Sequence, residues 1–545
     1  MPPIDRTLGH RAPLLWLVLP FMGGLAAAHA GLAASIPAAL SVALITAAAA
    51  VGAAGRAPRM AMAALSVAML FAGNASYHLH RKRLPEWDGR PPRVARFSLR
   101  VDHVYPQPSP RKAGGLAVIV RADGRLRDLV GQRIYYSLAL REGQVPPERS
   151  VIVRVAGLLT VLPRDAPADT FDGSLAGQGL NFRLSRARLL AQERAATAYY
   201  RFCERLARRM NRSLGAGLER RPELAAMYRA MMLGRKSDLS PEQKQLFIRS
   251  GAMHLFAING LHIGMVAMAL NALFALLRCP RLPAGILTLA VLWLDVDTTG
   301  ASPSAVRAFV MVAVLETAYA TRRPSNPVAA LAASAFVVLL LNPMDFFSAS
   351  FEMSYAVVGA ILTLGLPLSS WLERRFPAYP DLPEISWGPV QRVLAPARRH
   401  LLQVSAIGLA AALVSAITGI EFFGLFAPIG IVANLVLVPL ASLVLVSGCL
   451  SLAIPHVGTP ADLIFNRSAE VLLATIQTLI KLGSHLPAAW VAAHYRAGWI
   501  GPTALGALFA SVITGYAFGW RRERGGWWPP FAIVAATLAF GVKFG

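Results

Sequence analysis

The sequence predicts a polytopic α-helical membrane protein of about thirteen transmembrane helices, with a small β domain carried in one long loop. Three observations lead there. Apolar residues make up 55% of the 545 and charged ones only 15%, where soluble domains have roughly 25% charged, and the mean hydropathy is +0.49. Apolar runs approach or reach the ~20 residues that cross a bilayer, at both ends of the chain. Between Pro92 and Leu162 that pattern gives way to short alternating segments.

Three apolar runs come first, near 14–34, 36–54 and 60–79. The first has the look of a secretory signal, but it lacks a convincing cleavage site and two similar runs follow. It therefore reads as a retained helix. Arg6 and Arg11 precede it, Arg56 and Arg59 separate the second run from the third, and the connection at Ser35 has no positive charge. The positive-inside rule then puts the N-terminus in the cytoplasm and the chain after Arg81 outside. Residues 1–80 form an N-terminal transmembrane unit.

The alternating segments are VARFSLRVDHVY, GLAVIVRA, RIYYSLAL and VIVRVAGLLTVL, separated by turns with Pro and Gly. That is the pattern of a small barrel or sandwich. Within it, Phe97, Tyr135 and Tyr136 either fill the core or stack on nucleic-acid bases, as aromatic platforms do. Residues 81–183 are assigned to this domain. Residues 184–250 read as basic amphipathic helices of the kind that lie along a membrane surface, and Ser240–Pro241 supplies a helix start. From Arg81 to Arg249 there are 33 Lys and Arg against 16 Asp and Glu, a surplus of 17 out of a net +25. Such a segment suits phosphate backbones or anionic headgroups, and charge alone does not choose between them.

After Ser250 the apolar runs return, near 252–277, 283–300, 303–321, 328–342, 350–371, 402–420, 425–453, 466–484, 500–520 and 529–543. Arginines cluster in alternate loops, at Arg278 and Arg281, Arg322 and Arg323, Arg374 to Arg399, and Arg521 to Arg524. That parity makes those loops cytoplasmic and leaves the C-terminus outside. The stretch SGAMHLFAINGLHIG puts His254, Asn259, Gly260 and His262 into the first run. Polar groups at membrane depth are costly and tend to face a bundle interior or a wet path. Read as one helix, the stretch brings the two histidines to roughly one face.

Further along, Pro303 starts a helix and Arg307 follows about one turn in, after Ser302. A guanidinium there snorkels, pairs, or lines a polyanion route. In NPMDFFSASFEMSY, Asn-Pro ends a helix, and Asp345, Glu352 and Ser354 follow as partners for Arg307 or Arg278 or as path residues. Glu421 and Asn434 lie in GIEFFGLFAPIGIVANLVLVPL, whose Gly and Pro breaks suit discontinuous helices. No Walker A, HxHxDH or HExxH string occurs, so no P-loop ATPase or zinc hydrolase site is evident. Cys203, Cys279 and Cys449 have neither metal nor disulfide spacing. The expectation is a protein without catalytic residues, metal or other cofactor, whose polar groups line a route for an anionic substrate. A transporter or flippase of another anionic polymer or a lipid-linked glycan, a membrane enzyme with a histidine base, and an inactive paralogue are the rival readings.

The run LGRKSDLSPEQKQLFIRSGAMHLFAINGLHIG resembles the hallmark segment of the ComEC competence proteins, which conduct single-stranded DNA across the inner membrane in natural transformation. That family typically has Ser-Gly-Leu-His where this chain has Asn259-Gly260-Leu261-His262, and Glu352 stands where Gln is usual. GASPSAVRA, NPMDFFSASFEMSY and IVANLVLVPL resemble later blocks in the same order, and FDGSLAGQGL resembles the stretch after the family's OB-fold domain. The resemblance implies an OB-like periplasmic barrel near 92–165 and a competence-type channel domain over 251–545 for DNA uptake. It also implies a cytoplasmic ATP-driven helicase and a periplasmic DNA-binding delivery protein as partners. Many members continue into a metallo-β-lactamase-like domain thought to degrade the second strand. This sequence ends at Gly545 after a helix, so the resemblance implies the conducting part, with any nuclease supplied by another chain.

Overall fold

The computed structural model describes residues 14–32, 35–81, 84–105, 107, 109, 111–163, 170–256, 260–322, 326–379, 386–453, 460–487, 489–521 and 526–545. The chain opens with α1 (Leu15–His29), α2 (Ile36–Ala53) and α3 (Pro58–Arg81). α1 and α3 touch backbone to backbone at Gly24 and Gly73. A Cβ on Gly24 would run into the carbonyl of Leu70, and one on Gly73 into that of Phe21. In lipid, where apolar side chains give helices little reason to associate, such close approach is what holds them together.

Five strands then close a barrel: β1 (Arg93–Tyr105), β2 (Lys112–Ala122), β3 (Arg133–Ala139), β4 (Ile152–Val161) and β5 (Phe182–Arg194). Their order is β1-β2-β3-β5-β4. β1 pairs antiparallel with β2 and β4, and β3 runs parallel to β5. The fifth strand corrects the sequence reading of helix from Leu184. Phe182, Leu184 and Ala187 fill the barrel core, and pairing with two neighbours outweighs the helix propensity of its Leu, Arg and Ala residues. The barrel therefore runs to Arg194, beyond 165 or 183. Between β4 and β5, the short helix α4 (Phe171–Gly177) packs on the turn Pro343–Phe347 of the helical body.

Next come α5 (Ala198–Gly215), α6 (Pro222–Leu233) and α7 (Pro241–Arg249). α7 starts as the sequence predicts, with a reciprocal cap: Ser240 Oγ accepts from Gln243 N, and Gln243 Oε1 accepts from Ser240 N, both at 3.1 Å. α6 is a different case from the surface helix expected over 184–250. Nearly all of it, Leu224 to Leu233, is buried in one core with Leu437, Val444, Leu473 and Ile476.

Those partners belong to the middles of α15 (Ile429–Ala453) and α16 (Pro460–Ser484). A helix of 12 residues is about 18 Å long, short of the ~30 Å hydrocarbon core. α6 thus sits at the depth of two spanning helices without crossing.

The remaining elements are α8 (Gly260–Leu276), α9 (Arg281–Thr298), α10 (Pro303–Ala320), α11 (Pro327–Leu341), α12 (Ala349–Ala360), α13 (Leu366–Arg375), α14 (Pro389–Phe423), α17 (Ile500–Ala517) and α18 (Trp528–Ala536). A small sheet joins β6 (Leu425–Phe426), β7 (Val491–Tyr495) and β8 (Val542–Phe544). Each apolar run of the sequence holds a helix. Among the described residues, eight are long and apolar enough to cross a membrane, and four apolar ones are shorter. The protein is a multi-pass membrane protein carrying a small closed barrel.

Candidate functional site

The stretch Ser250–Gly264 is broken where the sequence suggested a continuous helix. Gly251 takes φ +70° and ends α7, a one-turn 3₁₀ helix covers Met253–Phe256, and the described part of α8 starts at Gly260. The left-handed Gly251 backs onto Gly430 at the start of α15, 3.4 Å from its Cα to the position a Cβ would take. His254 and His262 therefore sit on separate elements and do not form one helical stripe. His254 is exposed, with Nδ1 3.0 Å from the Gly251 carbonyl oxygen. Asn259 lies outside the described residues. A Cβ on Gly260 would meet nothing within 4 Å, so the start of α8 faces open space.

His262 is 3% exposed, and its Nε2 lies 3.6 Å from Asp295 Oδ2 on α9. Two residues on, Asp297 holds the barrel. Its Oδ1 accepts from Arg149 Nη1 at 2.6 Å and its Oδ2 from Tyr199 OH at 2.9 Å. Arg149 comes from the loop before β4, where its Nε also donates to the Asp102 carbonyl at 2.8 Å. Tyr199 opens α5. One carboxylate thus ties barrel, basic helix and membrane body together.

Arg307 is 3% exposed. Its Nη2 donates to Ser350 O at 2.5 Å and to Ser350 Oγ at 2.9 Å, and its guanidinium lies 5.9 Å from the Tyr355 ring centroid. Among the described residues, Nε and Nη1 have no hydrogen-bond partner and no carboxylate lies within ion-pairing distance. Asp345 instead accepts from Asn342 Nδ2 at 2.7 Å. The expected pairing of Arg307 with a carboxylate is met only at a distance: Asp345 lies near enough for its charge to act on the guanidinium, without a direct ion pair. Buried this way, Arg307 does not reach an open path in this conformation. Ser302 caps α10, its Oγ accepting from Ala305 N at 3.3 Å, which is a structural duty. Glu352, Ser354 and Asn434 are half-buried, and Asn434 Oδ1 has no partner among the described residues.

Phe97, Tyr135 and Tyr136 are 1%, 8% and 1% exposed. Phe97 and Tyr136 belong to the main barrel core and Tyr135 to a smaller cluster beneath α4. Their rings are packing residues, not platforms open to a base. Burial also pushes the Tyr105 hydroxyl up to about 12. His103 is held down at about 4, first by burial and then by the charges of Arg149 and Arg133.

Several polar groups were missed because they meet only in the fold. Asn271 Nδ2 donates to Glu316 Oε1 at 2.5 Å, and Thr288 Oγ1 to Asn271 Oδ1 at 3.2 Å, joining α8, α9 and α10. At the end of α6, Asp238 receives both Arg229 at 3.1 Å and Arg235 at 3.3 Å. Lys236 lies between Arg235 and Asp238 in sequence, in the same turn. Asp295, Asp297 and Glu316 did carry a signal, as acids inside apolar runs. Among the described residues, no three His, Cys, Asp or Glu side chains are grouped to hold a metal.

A basic barrel tethered to an apolar helical body, with charged and polar groups between its helices, defines a multi-pass membrane protein with a polar interior. Residues 231–522 match the competence protein family, and the chain belongs to that family. It is 33% identical over 136 residues to ComE operon protein 3 of Bacillus subtilis (strain 168), a match covering 25% of this chain and 18% of that protein. The matched stretch is thus under one fifth of the relative's length. No solved structure matches.

Proposed function

We propose that this protein conducts single-stranded DNA across the inner membrane into the cytoplasm during natural transformation. The observation that carries the reading is the position of the family match. It spans 231–522 and so takes in Arg235, Lys236, His254, His262 with Asp295, and Arg307. A strand bears one negative charge per nucleotide, so a conduit works best with many weak, scattered contacts from which the strand can also leave. Exposed His254, the open Gly260 turn and the Arg235–Lys236 corner suit that need better than any single tight site. Arg307 would contact DNA only in a conformation that releases Ser350.

In this reading the barrel is OB-like and periplasmic, the N-terminus is cytoplasmic, and the basic surface gathers DNA electrostatically. The five-strand order with its parallel β3–β5 pair supports the OB assignment. The protein itself does no chemistry. A cytoplasmic ATP-driven helicase pulls the strand and a periplasmic DNA-binding protein delivers it.

The test is transformation of a deletion strain, following labelled donor DNA separately in periplasm and cytoplasm. DNA retained outside the inner membrane, with transformants lost and restored by the gene in trans, is the expected result. Unchanged cytoplasmic uptake overturns the proposal and favours a carrier of another anionic polymer.

A further inference from the structure

A groove of about 480 Å³ runs along α16 and is lined by Arg221, Arg467, Glu470, Val471, Thr475 and Leu479 among others. Its upper end is charged. Glu470 Oε1 is 3.1 Å from Arg221 Nε, and Glu470 Oε2 is 2.6 Å from Arg467 Nη1. The carboxylate is nearly buried, while the two arginine side chains keep 58% and 60% of their exposure. Each guanidinium spends part of its donor fork on Glu470 and turns the rest outward. The Glu219 carboxylate, which accepts from Gly217 N at 2.9 Å, also lies near Arg467, so it is the exposed guanidinium edges, rather than a net charge, that a phosphodiester would engage.

The lower end is apolar, with Val471 68% exposed along a spanning helix. From Arg467 to Leu479 is 12 residues, a rise of about 18 Å, against a leaflet hydrocarbon depth of roughly 15 Å. The spanning segment is Leu463–Ser484, so Arg467 lies near its N-terminal end, at headgroup level. The chain is fixed at that level too. Asn466 Nδ2 donates to the carbonyls of Ser213 at 2.8 Å and Ala216 at 3.0 Å, where α5 turns toward α6.

We propose that this groove binds one anionic phospholipid, its phosphate between Arg221 and Arg467 and one acyl chain along Val471, Thr475 and Leu479. Basic pockets between membrane helices recognise such headgroups, and a bare anion would make no use of the apolar length below. The lipid would seat against the residue that immediately precedes α6, bracing the inserted helix. The inference stands apart from the DNA reading, since it concerns the outer face of α16.

Native mass spectrometry of the full chain in detergent tests it, titrating dioleoyl phosphatidylglycerol against dioleoyl phosphatidylcholine. Phosphatidylglycerol is expected to bind at least fivefold more tightly, the ratio for the about 1 kcal/mol that a single arginine contributes. Arg467→Gln should lose about that factor and Arg467→Lys should keep most of the affinity. Arg467→Gln also removes a bond to Glu470, so Thr475→Trp serves as the second variant. It fills the groove from an exposed position, leaves every charge in place, and should weaken phosphatidylglycerol binding. Equal binding of both lipids, or a Thr475→Trp affinity equal to the parent's, overturns the proposal and leaves the triad as a structural ion pair. Displacement by millimolar inorganic phosphate overturns it in favour of a bare anion site.

Discussion

Asp297→Asn is the substitution that most directly probes how the barrel is held. The change keeps the volume and an acceptor but removes the charge that Arg149 Nη1 and Tyr199 OH address at 2.6 and 2.9 Å. Hydrogen bonds to a charged group contribute about 1.5–3 kcal/mol, and removing one partner of a fully buried pair costs about 3–5 kcal/mol. Here the Asp297 side chain is 2% exposed but Arg149 keeps 28%, so the released guanidinium can turn to water. The coupling between the two should therefore fall near the lower range, about 1.5–2 kcal/mol. The assay is a double-mutant cycle of Asp297→Asn and Arg149→Gln, by chemical unfolding of the full chain in detergent. A second readout is hydrogen exchange across Ile152–Val161 and Ala198–Gly215, which should rise in both single variants. Single effects that add to within about 0.5 kcal/mol, with exchange unchanged, would show that the contact does not hold the barrel.

Three other outcomes are expected. His262→Ala should lower DNA uptake at an unchanged level of inserted protein, because the imidazole is buried against Asp295; equal uptake refutes the assignment. His103 stays neutral down to about pH 4 in the folded barrel while the unfolded ring protonates near 6.5. With its folded pKa below the unfolded one, stability is unaffected above pH 6.5 and falls as pH drops from about 6.5 to 4, by at most roughly 3 kcal/mol. His103→Gln should flatten that part of the thermal-shift profile, and an identical slope in parent and variant counts against it. Gly73→Leu should destabilise the α1–α3 pair by about 1–3 kcal/mol or more, since its side chain meets the Phe21 carbonyl; unchanged thermal stability in detergent would refute the close contact.

Where sequence and structure agree, short-range signals decide. The apolar runs, the alternating strands up to Val161 and the Ser240 cap are all legible because each is set by neighbours within a turn or a strand. The polar residues of the hallmark segment could be named but not placed. The single helix drawn through His254 and His262 fails because Met253–Phe256 winds as a 3₁₀ turn of its own, apart from α8, after Gly251 turns left-handed beside Gly430, 179 positions away. The absence of an acid near His262 in sequence says nothing about space, where Asp295 comes to 3.6 Å.

Sequence by itself determined the class of protein, the barrel in its loop and the basic balance of residues 81–249, since these follow from composition and period. Only the tertiary structure decided that RLSRARLLAQER is a strand, that α6 lies inside the helical body, and that Phe97 and Tyr136 are core. It also turned Arg307 inward onto Ser350. In each case the deciding free energy is a long-range contact: pairing with β3 and β4, burial against α15 and α16, closure of the barrel, and a carbonyl 43 residues on. Local propensity carries no information about partners that far along the chain.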